Sequence, residues 1–285
     1  MWILYAFGSA LFAGLTTIAV KCGIKKTDST VATAIRTPIV LVMSLVMVLI
    51  TGSIGTVRDI SAGSWVFLIL SGLATGASWL CYFRALQLGQ AARVAAVDKS
   101  STVLTILFAF ILLGEPFTWL KGIGVLAIGV GIFLMMDLKK GAGQAQGKSW
   151  LLFAALSAVF ASLTAILGKL GIQSVESNLG TAIRTAVVAV MAWGMVFITG
   201  KGHAARQIPK RELGFICLSG LITGLSWLCF YKALKDGPAS IVVPIDKLSI
   251  LVTAVFSGIF LRERFGVMNI AGLLLITAGT LCMLL

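Results

Sequence analysis

The chain has 285 residues, of which 59% are hydrophobic and 12% charged, with a mean hydropathy of +1.04. A soluble domain holds about 45–50% apolar and about 25% charged residues, so a soluble globular fold is excluded. The net charge of +13 does not imply nucleic acid, because basic residues between repeated apolar runs first set membrane orientation.

In chain order, the apolar runs predict helices near 2–21, 30–52, 65–88, 92–113 and 118–136. A Gly-rich polar linker follows over 138–149, and further helices are expected near 150–169, 178–199, 213–236, 240–261 and 266–284. Each run is close to the roughly 20 residues needed to cross a hydrocarbon core of ~30 Å. Met1 leads straight into the first run with no basic region or cleavage site, so that run reads as a span and not a cleaved signal.

The two halves are copies of each other. Shifted by 148 residues, 1–137 aligns on 149–285 without a gap, and "TAIRT" at 33–37 returns at 181–185. "SWLC" at 78–81 returns at 226–229, Asp98-Lys99 returns as Asp246-Lys247, and Glu115 returns as Glu263. Such self-similarity marks a duplicated structural unit. The expected domains are therefore a first repeat over 1–137 and a second over 150–285. Five helices is an odd number, so the second unit starts from the opposite face of the bilayer. The expected fold is an all-α membrane protein of ten transmembrane helices, arranged as two inverted five-helix repeats around a central cavity.

Of the 23 Lys and Arg, 12 fall in loops on one side of this scheme, Lys25, Lys26, Lys139 and Lys140 among them. Three, Arg58, Lys121 and Lys235, fall on the other. The positive-inside rule then places the linker in the cytoplasm and both termini outside the cell membrane. The remaining cations form four repeat pairs inside helices: Lys21/Lys169, Arg36/Arg184, Arg84/Lys232 and Lys99/Lys247. A charge at the bilayer centre costs roughly 2.5–3.5 kcal/mol on insertion scales, so such residues face a cavity or a partner. Lys21 and Lys169 lie near helix ends and are expected to snorkel; Arg84 and Lys232 are balanced between snorkelling and substrate contact.

Asp98, Ser101, Thr105 and Phe108 share one helical face, and Asp246, Ser249, Thr253 and Phe256 repeat it. Arg36 lies on one face with Thr33 and Thr37, as Arg184 does with Thr181 and Thr185. Trp79 and Trp227 sit well inside their spans and are read as cavity walls. The expected substrate-binding set is thus Arg36, Trp79, Arg84, Asp98, Lys99, Ser101, Thr105, Arg184, Trp227, Lys232, Asp246, Lys247, Ser249 and Thr253. A plainer alternative pairs Asp98 with Arg36 and Asp246 with Arg184 as structural ion pairs. Gly72/Gly76, Gly220/Gly224, Gly124/Gly131 and Gly272/Gly279 mark packing seams, half against half or, in a homodimer, copy against copy. No cofactor and no metal are expected: the five cysteines show no metal-ligand spacing, His203 stands alone, and no nucleophile–base set or phosphate-binding loop is present, so no enzyme is expected.

"LLGEPFTWLKGIGVLAIGVGIFLMM" (112–136) resembles the closing signature of the EamA domain, within the drug/metabolite transporter superfamily. The second copy, "FLRERFGVMNIAGLLLITAGTLCMLL", keeps Glu263 and the glycines but lacks the Gly-Glu-Pro triplet. The resemblance implies ten helices, alternating access and transport, with export as the direction. Combined with an interior richer in cations than in acids, it leads to the expectation of a small polar substrate with a carboxylate or phosphate, an amino acid first because Asp98 and Asp246 could hold its amine. The rivals are an organic phosphate or nucleotide-sugar antiporter and a phospholipid-headgroup translocase.

Overall fold

In lipid a chain must satisfy its backbone polar groups within each segment, which favours helices throughout. A computed structural model describes residues 1–23, 27–88, 94, 97, 98, 100–135, 149–260 and 266–284. The first half contributes α1 (Trp2–Gly23), α2 (Ser29–Ile50), α3 (Ala62–Leu88), α4 (Ser101–Leu112) and α5 (Trp119–Met135), with a 3-10 helix over Ser53–Asp59. The second half contributes α6 (Ser149–Ile172), α7 (Ser177–Ile198), a short α8 (Gly202–Arg206), α9 (Lys210–Asp236), α10 (Ala239–Lys247), α11 (Ser249–Phe260) and α12 (Val267–Cys282). Seven stretches are long and apolar enough to cross a membrane, α10 and the start of α11 forming one of them. Three apolar helices, Ser101–Leu112, Trp119–Leu134 and Val267–Cys282, are shorter. No strand occurs among the described residues.

Two expected helices, 92–113 and 240–261, are interrupted at equivalent positions. The run 240–261 divides at Leu248, where Leu248 N–H bonds the Ile245 carbonyl at 3.0 Å and the Val252 bond back to Leu248 stretches to 3.5 Å. Ser100 occupies the same repeat position, and its N–H bonds the Val97 carbonyl at 3.1 Å. Such tight turns inside a helical run mark hinges. Both lie one or two residues beyond an Asp-Lys pair, so each carboxylate sits where the helix changes register.

The halves interlock through their glycines. A Cβ on Gly72 would sit 2.6 Å from the Val187 Cβ, and one on Gly76 2.6 Å from Met191. The repeat counterparts do the same, with Gly220 against Ile39 at 3.1 Å and Gly224 against Met43 at 2.6 Å. Val31 and Ala34 of α2 pack on Ala192 and Val196 of α7, and Val48 packs on Leu179 and Ala182. These repeat-equivalent helices therefore run antiparallel. α5 and α12 meet backbone to backbone: a Cβ on Gly279 would lie 2.7 Å from the Gly124 carbonyl, and one on Gly131 2.7 Å from the Gly272 carbonyl. This seam joins half to half within one chain, and a homodimer through the same glycines would have to displace α12 from α5. Gly279→Ala is expected to cost about 1–3 kcal/mol, because a backbone carbonyl cannot step aside. Gly129→Ala, whose Cβ meets only Val103 at 3.6 Å, should leave the thermal melting of the detergent-solubilised protein unchanged.

The loops also cross between halves. Asp28 caps α2 by accepting from Thr30 N–H at 2.8 Å and meets the Lys201 ammonium at 2.7 Å. Partial burial pushes this carboxyl up, but Lys201 and the Thr30 N–H outweigh it and hold it below the usual carboxylate range. A depressed folded value means the contact stabilises above about pH 4 and loses that effect as pH falls through the folded value. Asp28→Ala should therefore lower the melting temperature at pH 7, with the difference shrinking under acid.

Candidate functional site

Helices from both halves enclose a cavity of about 260 Å³ near the middle of the bundle. Seven of the expected residues line it: Trp79, Ser101, Thr105, Arg184, Trp227, Asp246 and Lys247. Arg184 on α7 is the dominant group, only 2% exposed. Its Nε donates to Ser71 Oγ at 3.3 Å and its Nη2 to Thr75 Oγ1 at 2.7 Å, both on α3. The guanidinium carbon lies 4.6 Å from the centre of the Tyr231 ring and 5.1 Å from that of Trp227. Aromatic faces stabilise a desolvated cation by roughly 2 kcal/mol or more. These contacts hold the charge in place but do not neutralise it, and two hydroxyls take only two of the five guanidinium N–H donors.

The acid across the cavity has its own support. Asp246 Oδ1 accepts from Ser9 Oγ at 2.5 Å, and Lys247 Nζ stands 3.8 Å from Oδ2. Ser226 Oγ in turn donates to the Ser9 carbonyl at 3.1 Å. The first half repeats this arrangement: Ser157 Oγ donates to Asp98 Oδ1 at 2.8 Å, and Ser78 Oγ to the Ser157 carbonyl at 3.0 Å. A carboxylate bonded to one hydroxyl keeps most of its acceptor capacity for an incoming donor.

The structure does not form the ion pairs that the plainer alternative expected. Arg184 bonds hydroxyls and Asp246 bonds Ser9. Asp98 bonds Ser157, and Arg36 makes no hydrogen bond or ion pair with another described residue. The reason is placement. Arg36 lines a separate cavity of about 350 Å³ near the start of α2, with Thr33 and Ser219. Asp98 lies outside the lining of the central cavity. Ser249 and Thr253 line a third space of about 190 Å³ that Lys247 also borders. Thr105 and Thr253 donate to the carbonyls of Ser101 and Ser249, four residues back, at 2.8 and 3.0 Å. Arg84 is exposed on α3. Lys232 pairs with Asp236 at 3.0 Å, away from the cavities. Lys99 lies outside the described residues, as do Glu263 and the linker over 138–148.

One further expectation changes, and one residue gains a role. Lys169 does not snorkel; its ammonium donates to the carbonyls of Leu234 and Gly237 at the end of α9. Glu115 accepts from Ala239 N–H at 2.6 Å and Ser240 N–H at 2.9 Å, capping α10, the helix that carries Asp246. An acid at a helix N-terminus satisfies orphan donors and complements the dipole. Ser9, Ser71, Thr75 and Tyr231 are the functional neighbours that sequence reasoning passed over. Ser9/Ser157, Ser71/Ser219 and Thr75/Thr223 are identical under the 148-residue shift, and that identity was the available signal.

The sequence profile of the EamA-like transporter family matches residues 1–137 and 148–285. The chain belongs to the EamA-like transporter family. A relative from Sinorhizobium sp., named as an uncharacterized transporter in the cobO 3' region, is 44% identical over 134 residues. The match covers 47% of this chain and 95% of that relative, about the length of one repeat. A solved crystal structure superimposes with a TM-score of 0.80 over 99% of this chain and 96% of its own, at 18% identity. At that identity the likeness speaks to the fold alone. This EamA protein is thus a multi-pass membrane protein of a transporter family, built around a cavity with one buried cation and one supported carboxylate.

Proposed function

We propose that the protein crosses the cell membrane ten times, as two inverted five-helix repeats, and is a secondary transporter of a small polar metabolite by alternating access. The substrate carries a carboxylate, and an amino acid is the first choice. One observation carries this reading: Arg184 and Asp246 face a single cavity without neutralising each other. The guanidinium suits a carboxylate bidentately, and Asp246 suits an ammonium group. The antiparallel packing of α2 on α7 supports the inversion. The cavity of about 260 Å³ lies below the ~300–1,000 Å³ typical of drug-sized ligands, which favours a small solute over a nucleotide sugar.

The charge bias of the loops puts the 138–149 linker in the cytoplasm and both termini outside. The Lys201–Asp28 contact at 2.7 Å supports this by bringing two loops of the basic side together. Export is the direction that family membership favours.

Counterflow in proteoliposomes tests the substrate class. Vesicles preloaded with an unlabelled amino acid should accumulate the labelled one. If the amino acids of such a panel are all silent while a sugar phosphate exchanges, the carboxylate reading is wrong.

A further inference from the structure

The two repeats hold their equivalent arginines differently. Arg184 and Arg36 are repeat equivalents, and their hydroxyl neighbours match: Ser71 and Thr75 on α3 correspond to Ser219 and Thr223 on α9, although Tyr231, which stacks on Arg184, stands where the first half has Phe83. At the Glu176 end of the α2–α7 pair, Arg184 is docked on Ser71 and Thr75. At the Asp28 end the equivalent hydroxyls are present but Arg36 is not bonded to them. Arg36 makes no bond with another described residue and faces a cavity of about 350 Å³ that Ser219 also lines.

The receiving threonines are set the same way at both ends, while Ser71 Oγ donates across to the Thr164 carbonyl and Ser219 Oγ to the Ile216 carbonyl of its own helix, each at 2.8 Å. Thr75 Oγ1 donates to the Ser71 carbonyl at 2.9 Å, and Thr223 Oγ1 to the Ser219 carbonyl at 2.7 Å. Thr75 lies 3.3 Å from Thr164, and Thr223 lies 3.3 Å from Thr16. Each hydroxyl spends its proton on a carbonyl and keeps lone pairs for a guanidinium. Only the first pair has received one. Burial follows: Thr181, on the Arg184 face, is wholly buried, whereas its equivalent Thr33 is half-buried and lines the open cavity.

We infer that Arg184 and Arg36 are alternating locks on the two ends of the pathway. Arg184 on Ser71 and Thr75 shuts its end in this conformation. In the opposite conformation Arg36 docks on Ser219 and Thr223, while Arg184 lets go. The inference rests on the alternating-access reading above and deepens it by naming the groups that bias the two states. Two locks closed together would occlude the pathway, and two open together would leak. The charge-assisted bonds of one lock are enough to tilt a two-state equilibrium about tenfold or more.

The test uses reporters at equivalent positions. In full-length protein with the native cysteines replaced by serine, Thr33→Cys and Thr181→Cys are each labelled with a water-soluble maleimide. With both locks intact, Thr33→Cys should react faster. Adding Arg184→Ala should speed Thr181→Cys about tenfold and slow Thr33→Cys, as the population moves to the other state. Adding Arg36→Ala should do neither, because it removes a lock that this state does not use, and Thr33→Cys should stay fast. Thr75→Val and Thr223→Val repeat the comparison with both arginines kept, should an arginine variant fail to fold. Arg184→Ala or Thr75→Val leaving both rates unchanged, or the two arginine variants shifting both reporters alike, would overturn the inference. Labelling needs no substrate. Reciprocal labelling with a silent amino-acid counterflow would count against the substrate class and leave the locks standing.

Discussion

Arg184→Lys is expected to lower amino-acid counterflow by about a hundredfold or more while the protein still folds. The substitution keeps the charge but removes the planar fork, the bond to Thr75 at 2.7 Å, and stacking between Tyr231 and Trp227. Bonds to charged groups contribute about 1.5–3 kcal/mol each, so losing two of them accounts for the effect. Arg184→Met should be at least as inactive and no less stable, since a buried charge replaced by an apolar side chain of similar volume is often neutral or stabilising. Melting curves and size-exclusion profiles check the fold, and initial uptake rates check the function. A fully active lysine variant would remove bidentate anion binding from the mechanism.

The second large effect is a change of selectivity. Asp246→Asn should depress transport of an amino acid by about ten- to a hundredfold, the factor that 1.5–3 kcal/mol of charged hydrogen bonding gives. A carboxylate of the same shape without the amino group should be affected far less, because it never used Asp246. Ser9→Ala should move in the same direction by less, since it removes the hydroxyl that orients the carboxylate at 2.5 Å. Uptake of the two solutes in parallel reads the ratio. Equal losses for both solutes would make Asp246 structural, and unchanged flux would remove it from binding.

Asp98→Asn is the informative counterpart. Asp98 has the same kind of serine partner as Asp246 but does not line the central cavity. The two acids are equal by sequence and unequal by position. The same holds for Arg36 and Arg184, and for Ser101 against Ser249, which line different spaces.

Several features were legible before any fold was known. Helix positions followed from runs of apolar residues, with most boundaries within a few residues: 30–52 against Ser29–Ile50, and 178–199 against Ser177–Ile198. The pairing of TAIRT with its copy pointed to the arginines, and the glycine spacing pointed to the seams. The interruption at Leu248 was not legible, because Leu248 is as apolar as its neighbours and nothing in hydropathy marks a lost hydrogen bond. Nor was the role of Glu115, whose partners Ala239 and Ser240 lie in the other half of the chain.

By itself, then, the amino-acid order determined a duplicated, helical, lipid-facing protein with a small set of ionisable groups placed inside its helices. These are properties of composition and of spacing along one dimension, and the cost of an unsatisfied backbone in hydrocarbon leaves little choice between forms. Tertiary structure decided which member of each repeated pair meets the cavity, which arginine is docked, and which glycines close the seam between halves. The identical TAIRT segments at 33–37 and 181–185 carry identical local information. Outside those segments the halves differ, as at Tyr231 and Phe83, and the asymmetric packing of this conformation makes Arg184 a buried, bonded cation while Arg36 faces its own cavity.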